Sequence, residues 1–329
     1  MATTSILITG ATGYIGSQVV LELLERYGSR IRLTAIARPS SDCAFLADLP
    51  VDIVRADLLD VTSMTEAFAG VDTVFHCAGL ISYTRHFRHR LYDVNVLGTR
   101  NVVNACLRHQ VRRLVMTSSI AAVGVSDDGT PTTESIPFTE WQRRNGYMEA
   151  KHLAELEALR GVAEGLDTVL VNPGVVIGVD RQNPASTSSS NEVLRMIYRG
   201  KIPFYPLGSS GFVDVRDVAD AHLAAWEKGL TGRRYIVVGH NRTFAELFED
   251  LRHVSGSSMK KLYPLSGAAA FLAGIGGELW SLFLDRPSFI SFDSHRMAAA
   301  KLVYSNSSSI QELGMSYRAF EDTLRSVVR

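Results

Sequence analysis

Thr9-Gly10-Ala11-Thr12-Gly13-Tyr14-Ile15-Gly16 follows the apolar run Ile6-Leu7-Ile8 at the start of this 329-residue chain. A short apolar run, three glycines spaced by three, then Ile15, Val19, Leu23 and Leu24 at helical intervals read as strand, tight turn and helix. Gly10 permits the turn, Gly13 lets backbone approach a pyrophosphate, and Gly16 allows the helix to pack closely on the strand. Thr12, Tyr14 and Ile15 complete the turn and open the helix, whose N–H groups and positive dipole end suit an anion. The spacing is GxxGxxG rather than GxGxxG, so the position directly after the first strand carries much of the weight.

Beyond this turn, short apolar runs alternate with longer amphipathic ones, the pattern of βαβ units around a parallel sheet. Strands are expected at Ser5–Thr9, Ile31–Ala37, Val51–Val54, Thr73–His76, Arg113–Thr117 and Thr168–Asn172. The first helix has its stop at Tyr27-Gly28. Another helix starts at a capping box of Ser63 and Glu66, or with Thr62 as the cap. Further helices are expected from about residue 91 to 109 and from about 145 to 164. The fold class is α/β, a Rossmann-type doubly wound parallel sheet over residues 1–172. A smaller, mainly substrate-binding region follows over 173–329, with segments near 212–240 returning to the first domain. There, Arg234–Val238 reads as a strand closed by Gly239, Thr243 and Glu246 as a capping box, and the Ser- and Asn-rich Ala185–Asn191 and Tyr304–Ser309 as polar, flexible connections.

Composition excludes several classes. The 34 Lys and Arg balance 34 Asp and Glu, which argues against a nucleic-acid partner needing a clustered basic excess. At 46% hydrophobic and 21% charged residues, the chain can bury a large core. Cys43, Cys77 and Cys106 follow no disulfide or zinc-finger spacing, and no His/Glu/Cys cluster suggests a metal. Met1 to Ser5 lead into the first strand with no basic region, so no export signal is expected and the cytoplasm is the expected location. Leu265–Leu284 is almost wholly apolar or small with Glu278 its only charge, and reads as a helix or lid, or alternatively as a surface contact with a membrane or a hydrophobic partner. Lysine is scarce, 6 against 28 Arg, and the first in the chain is Lys151.

The chemistry is read at the strand ends. The second strand ends in Arg38, followed by Pro39, Ser40 and Ser41 with no carboxylate, so NADP(H) is expected in preference to NAD(H), Arg38 pairing with the 2′-phosphate. Asp57 and Leu58 are placed to meet the adenine, and Cys77, Ala78 and Gly79 to line the dinucleotide. Tyr147 and Lys151 stand one helical turn apart. An ammonium beside a phenol favours the phenolate, so Tyr147 is expected to exchange a proton with a carbonyl or hydroxyl oxygen while Lys151 also holds the nicotinamide ribose. Thr117-Ser118-Ser119 closes the fifth strand, where a serine hydroxyl can bond the substrate oxygen.

TGATGYIG, Asp57-Leu58, HCAGL at 76–80, DVNVLGT at 93–99, TSSIAAVG at 117–124, YMEAK at 147–151, NPGVVIG at 172–178 and FVDVRDVADA at 212–221 together resemble the extended short-chain dehydrogenase/reductase superfamily, which includes the NAD-dependent epimerase/dehydratase family. ARPSS, NPGVVIG and the ending ELGMSYRAFEDTL look most like its dihydroflavonol-4-reductase-like and 3β-hydroxysteroid-dehydrogenase-like branch. The resemblance implies Tyr147 as proton donor and acceptor, Lys151 as its partner and Ser119 as carbonyl-orienting donor. It also implies Thr117 and Asn95 as supports of the cofactor site, Pro173, Gly174 and Val176 near the nicotinamide, and a homodimer. Gly79-Leu80 departs from the family's usual ending of the fourth-strand motif. Ile120 and Ala121 stand where sugar-nucleotide 4,6-dehydratases carry an Asp-Glu pair, which disfavours a dehydratase.

The leading expectation is therefore an NADP(H)-dependent carbonyl reductase or alcohol dehydrogenase on a largely apolar small molecule, with Trp280, Phe283 and Phe289 available to line a pocket. A sugar-nucleotide epimerase with tightly bound NAD is the alternative, and a cofactor-sensing scaffold the third. The basic run Arg85–Arg90 is read as a solvated loop or helix start, with contact to an anionic substrate or a coenzyme A phosphate as the alternative, and His76 and His152 as structural.

Overall fold

The computed structural model describes residues 3–179, 189–256, 259–265, 267–284 and 291–328. Its strands are β1 (Thr4–Thr9), β2 (Ile31–Ala37), β3 (Val51–Arg55), β4 (Thr73–His76), β5 (Arg113–Thr117), β6 (Asp167–Pro173), β7 (Val175–Ile177), β8 (Phe204–Tyr205), β9 (Ser209–Asp214), β10 (Arg234–Val237), β11 (His240–Thr243) and β12 (Tyr263–Pro264). The helices of eight residues or more are α1 (Tyr14–Tyr27), α2 (Gly98–Arg108), α3 (Gly146–Ala163), α4 (Ser189–Tyr198), α5 (Val215–Lys228), α6 (Phe244–Ser255), α7 (Gly267–Leu284), α8 (Phe292–Ala299) and α9 (Phe320–Val328).

Seven parallel strands form the central sheet in the order β3-β2-β1-β4-β5-β6-β10. Chain order reverses at β1, which has β2 on one side and β4 on the other, so the glycine-rich turn opens into the crevice where such sheets bind ligands. Register aligns Thr9 with His76 and Thr117 with Val171, which brings the ends of β1, β4, β5 and β6 to one edge.

Strands buried on both faces need continuous apolar runs. On one face Ile8, Val19, Leu23, Val218, Leu223 and Tyr235 pack together beneath α1 and α5. On the other, Leu7, Phe68, Val74, Val102, Cys106 and Leu114 do so. Each fully buried side chain of this size contributes roughly 1.5–3 kcal/mol. A third cluster, with Ile177, Leu194, Phe212, Leu247 and Leu251, lies in the C-terminal part. There β9 joins parallel β7 to antiparallel β11, and β8 pairs with β12. Residues 215–237 return to the sheet as α5 against α1 and as β10 beside β6.

Three local expectations are corrected. The helix Val61–Ala67 is capped by neither Ser63 nor Thr62 but by Asp60, whose carboxylate accepts from the N–H groups of Thr62 and Ser63 at 3.1 and 3.4 Å. One Asp60 carboxylate oxygen thus satisfies two of the orphan N–H groups at the helix start. The expected continuous helix over 91–109 contains a π-helical turn at Tyr92–Leu97 before α2. Tyr304–Ser309 is no loose connection: Tyr304 and Ser309 are buried, and a helix begins at Ser307. Of Ala185–Asn191, residues 185–188 lie outside the described residues, and Asn191 is buried in α4.

Candidate active site

The glycine-rich turn forms a cradle whose glycines each have a steric reason. Gly10 has φ +72°, and a Cβ there would come within 2.6 Å of the Ala78 nitrogen. A Cβ at Gly16 would sit 2.1 Å from the Gly10 carbonyl oxygen. Gly13 is the N-cap of α1, with extended backbone, no side-chain cap and no acidic residue in the first turn that follows. The opening N–H groups of a 14-residue helix therefore face outward with the positive end of its dipole. Thr12 and Ile15 are half-buried along this turn. The Tyr14 hydroxyl reaches across to donate to the Gly178 carbonyl at 2.5 Å. Such a set of donors fits the pyrophosphate of a dinucleotide.

At the end of β2 the Arg38 side chain is exposed. Arg55, at the end of β3, was missed in the sequence; its guanidinium donates to the carbonyls of Arg38 and Ser41 at 3.0 and 2.9 Å. Two arginines thus flank one turn. Asp57 accepts from the Leu59 N–H at 3.0 Å, and the Leu58 carbonyl accepts from Asn101 at 2.8 Å, so both are engaged in shaping the loop after β3.

Ser119, Tyr147 and Lys151 come together at the carboxyl edge of the sheet. Asn145 caps α3 by accepting from the N–H groups of Tyr147 and Met148, which sets the rotation of the helix that carries both Tyr147 and Lys151 inward. Lys151 is 6% exposed and donates to the Thr117 carbonyl at 3.1 Å. Burial pushes its pKa down to about 8, against the raising influence of Glu155 and Cys77. Burial pushes the Tyr147 phenol up to about 12, opposed by its hydrogen bond with Ser119. The expectation that the ammonium draws the phenol toward neutrality is therefore corrected: Tyr147 sits among Leu91, Val96, Ala121 and Met148, and desolvation outweighs the rest. Ser119 also caps a short 3₁₀ turn, accepting from the Ala121 N–H at 3.1 Å.

Behind these three, buried polar groups tie the strand ends together. Thr99 donates to the Asn95 carbonyl at 2.6 Å, so His76 donates through Nε2 to Thr99 and accepts through Nδ1 from Thr9. Burial holds His76 neutral, its pKa pushed down to about 3. The π-helical turn brings Asn95 to Leu80, where its amide accepts from the N–H at 2.8 Å and donates to the carbonyl at 2.9 Å. That clamp fixes Cys77-Ala78-Gly79; a Cβ at Gly79 would meet Asn95 Oδ1 at 3.2 Å and Lys151 Nζ at 3.3 Å. Burial raises the Cys77 thiol to about 11. The Thr117 hydroxyl donates to His222 Nε2 at 2.6 Å, since His222 Nδ1 must donate to the Val218 carbonyl. Pro173 ends β6, Gly174 packs against the Gly211 carbonyl, and Val176 lies in β7 at the core margin.

Glu155 was also missed. It lies four residues beyond Lys151, 1% exposed, accepting from Ser118 at 2.5 Å and Asn172 at 2.6 Å, with Arg234 at 3.3 Å. Its interval from Lys151 is visible in the sequence; its partners, Ser118 just past β5, Asn172 in β6 and Arg234 in β10, are not.

The sequence profile of the NAD dependent epimerase/dehydratase family matches residues 6–239. The chain belongs to that family. It is 33% identical over 326 residues to a provisionally named dihydroflavonol 4-reductase of Synechocystis sp., covering 98% of this chain and 92% of that one. It is 37% identical over 262 residues to cinnamoyl-CoA reductase 1 of Oryza sativa subsp. japonica, covering 76% and 75%. The crystal structure of gox2253 superposes with a TM-score of 0.83 at 28% identity, covering 99% of this chain and 97% of that one. This family member is accordingly an NAD(P)-dependent enzyme of oxidoreductase type, with a Rossmann-type fold.

Beside the strand edge this enzyme has a cavity of about 450 Å³. Tyr83 lines it and meets Tyr147 edge-on, ring centroids 5.4 Å apart. Ile177, Leu194, Phe212, Phe244 and Leu247 supply much of the wall, and no Asp, Glu, Lys or Arg is among the lining residues described. The expectation that Trp280 and Phe283 line the pocket is corrected: both are exposed on α7, which turns Gly274, Gly277 and Ser281 inward instead. Phe289 lies outside the described residues. Arg85–Arg90 forms a 3₁₀ turn and the start of a helix, with Arg88 paired to Glu149. His76 is buried, and His152 stacks on Phe138 at 4.1 Å. Among the described residues no helix is long and apolar enough to cross a membrane, and none of their His, Cys, Asp and Glu side chains group as a metal site.

Proposed function

We propose that this enzyme is an NADP(H)-dependent carbonyl reductase or alcohol dehydrogenase acting on a ketone or secondary alcohol of a largely apolar small molecule. The observation that carries the reading is the apolar cavity reaching Tyr147 through Tyr83, with no charged lining residue described. A sugar nucleotide brings a diphosphate that cations would pair with, and no Lys or Arg is among the lining residues described.

The turn Gly10–Gly16 would hold the pyrophosphate on the first N–H groups of α1. Arg38, its turn braced by Arg55, would meet a 2′-phosphate, and this arrangement supports NADP(H) over NAD(H). Cys77-Ala78-Gly79, pinned by Asn95, would flank the dinucleotide, with Pro173, Gly174 and Val176 toward its nicotinamide end. The bound nicotinamide supplies the hydride acceptor or donor. Ser119 would orient the substrate oxygen by donating a hydrogen bond to it. Tyr147 would give that oxygen its proton in the reductive direction and take it in the oxidative one. Its high pKa in this structure keeps the phenol protonated and ready to donate. Lys151, fixed by the Thr117 carbonyl, would bring positive charge beneath the reacting oxygens and hold the ribose. Residues 173–329 would supply the substrate side, apart from the segment that returns to the sheet.

The test is a spectrophotometric screen of NADPH oxidation with steroid, flavonoid, aliphatic and sugar-nucleotide carbonyls side by side. Stoichiometric oxidation with one of the first three is expected. Turnover of a sugar nucleotide with no net consumption of cofactor would overturn the reading in favour of an epimerase.

A further inference from the structure

Helix α7 is arranged inside out. Among its described side chains the buried positions are Gly274, Gly277 and Ser281, at helical intervals, with Glu278 half-buried beside them. Ser281 donates to Thr84 at 3.0 Å, and the Glu278 carboxylate accepts from the Arg85 N–H at 3.2 Å. The opposite side carries Leu272, Leu279, Trp280, Leu282 and Phe283, between 49% and 80% exposed. A helix that only packed on its own domain would place these the other way round. The ribbon of β8 and β12, which leads into α7, also exposes Phe204 and Tyr263, with Leu207 exposed just past it.

Charge at this face departs from that of the chain. Residues 193–213 and 251–277, which contribute the ribbon and most of α7, hold Arg195, Arg199, Lys201, Arg252, Lys260 and Lys261 and no Asp or Glu, in a protein of zero net charge. Pairing of Tyr263 with Phe204 brings Lys260 beside residues 199–201; a Cβ at Gly200 would meet the Lys260 side chain at 3.3 Å. Arg199, Lys201, Lys260 and Lys261 are exposed there, next to the apolar face. Half of the chain's six lysines stand at this one rim.

We propose that α7 and the β8–β12 ribbon dock this enzyme on the surface of an anionic lipid bilayer. The large side chains of α7 would enter the headgroup and acyl boundary, and the basic rim would meet the anionic headgroups. The helix would lie in the interface, since among the described residues no helix is long and apolar enough to cross a membrane. A second copy on the same face would bring another basic rim and, from these segments, no carboxylate to answer it. Leu265, Ala273 and Phe204 also line the cavity, so the docked face adjoins the cavity wall.

The experiment is co-sedimentation of the full chain with vesicles of phosphatidylcholine alone and of phosphatidylcholine with about one-third phosphatidylglycerol, at low salt and above about 0.1 M. Binding to the anionic vesicles is expected to be about tenfold tighter or more, to weaken with salt, and to shift Trp fluorescence to the blue in a way that Trp280→Phe abolishes. Lys260→Glu with Lys261→Glu, and separately Phe283→Ser, would each weaken it about tenfold while NADPH binding persists, which shows that the variants are folded. Wild-type protein left in the supernatant with both vesicle types would overturn the proposal. So would a dimer in sedimentation velocity that Phe283→Ser dissociates, since the face would then belong to a second copy.

Discussion

The carboxyl edge of the sheet and helix α7 solve opposite problems. At the edge, Lys151, Glu155, His76, His222 and Asn95 are buried polar groups held by one another and by backbone. On α7, leucine, tryptophan and phenylalanine face outward while serine and glycine face in. Burying polar groups costs free energy unless each finds partners, and exposing apolar ones forgoes a stabilisation that burial would give. Each region departs from what stability alone would select, the first toward chemistry and the second toward contact with something apolar.

The largest effect should come from Tyr147→Phe. The substitution keeps the ring against Tyr83 and removes only the hydroxyl, so cofactor binding should persist while turnover falls by about 10²–10⁴-fold. Single-turnover oxidation of NADPH with a carbonyl found by the screen would measure it. Near-normal turnover would mean that the edge is polar for structural reasons and would remove the contrast with α7.

Arg38→Ala comes next. Loss of one charge-assisted bond to a phosphate costs about 1.5–3 kcal/mol, so the preference for NADPH over NADH should fall by about 10- to 100-fold with little change for NADH. Comparison of kcat/KM for the two cofactors decides it. A smaller drop in this variant than in Arg55→Ala would shift the phosphate contact to Arg55.

These residues also show how far the sequence can be read. Thr73–His76 and Arg113–Thr117 are strands with the expected bounds because their apolar runs are short, continuous and closed by polar residues. Tyr147, Lys151 and the glycines were legible because their relations are local, within one turn or one helix. Glu155 and Arg55 were not, since what they bind comes from strands or turns distant in the chain. The π-helical turn at Tyr92–Leu97 was hidden for a similar reason: it serves the contact of Asn95 with Leu80, fifteen residues away. On α7 nearly every position is apolar or small, so periodicity could not tell the inner face from the outer; Ser281 and Glu278 settle it only through Thr84 and Arg85.

A subtler difference concerns pH. Burial lowers the Lys151 pKa from 10.5 to about 8, and Glu155 pulls it back up. Between about pH 8 and 10.5 the unfolded chain keeps a proton that the folded one has released, so this residue's contribution to stability improves as pH rises through that window. Activity that needs the ammonium should run the other way and fall as pH rises through about 8. Glu155→Gln removes the charge that favours the ammonium, and the descending limb should move to lower pH. A pH profile of kcat for the two proteins reads this directly, and an unmoved limb would confine Glu155 to holding Ser118 and Asn172.

The smallest expected effect is on the other side of the comparison. Phe283 is 80% exposed, so replacing it with serine removes little buried area and should change unfolding free energy in urea by no more than about 0.5 kcal/mol. Removing a buried phenylalanine costs about 3–5 kcal/mol. Near-neutrality in solution would leave the fold with no use for a phenylalanine at this position, and the side chain would then have to act against a partner outside the chain. A loss of several kcal/mol would instead place Phe283 in the protein's own packing and dissolve the contrast between α7 and the strand edge.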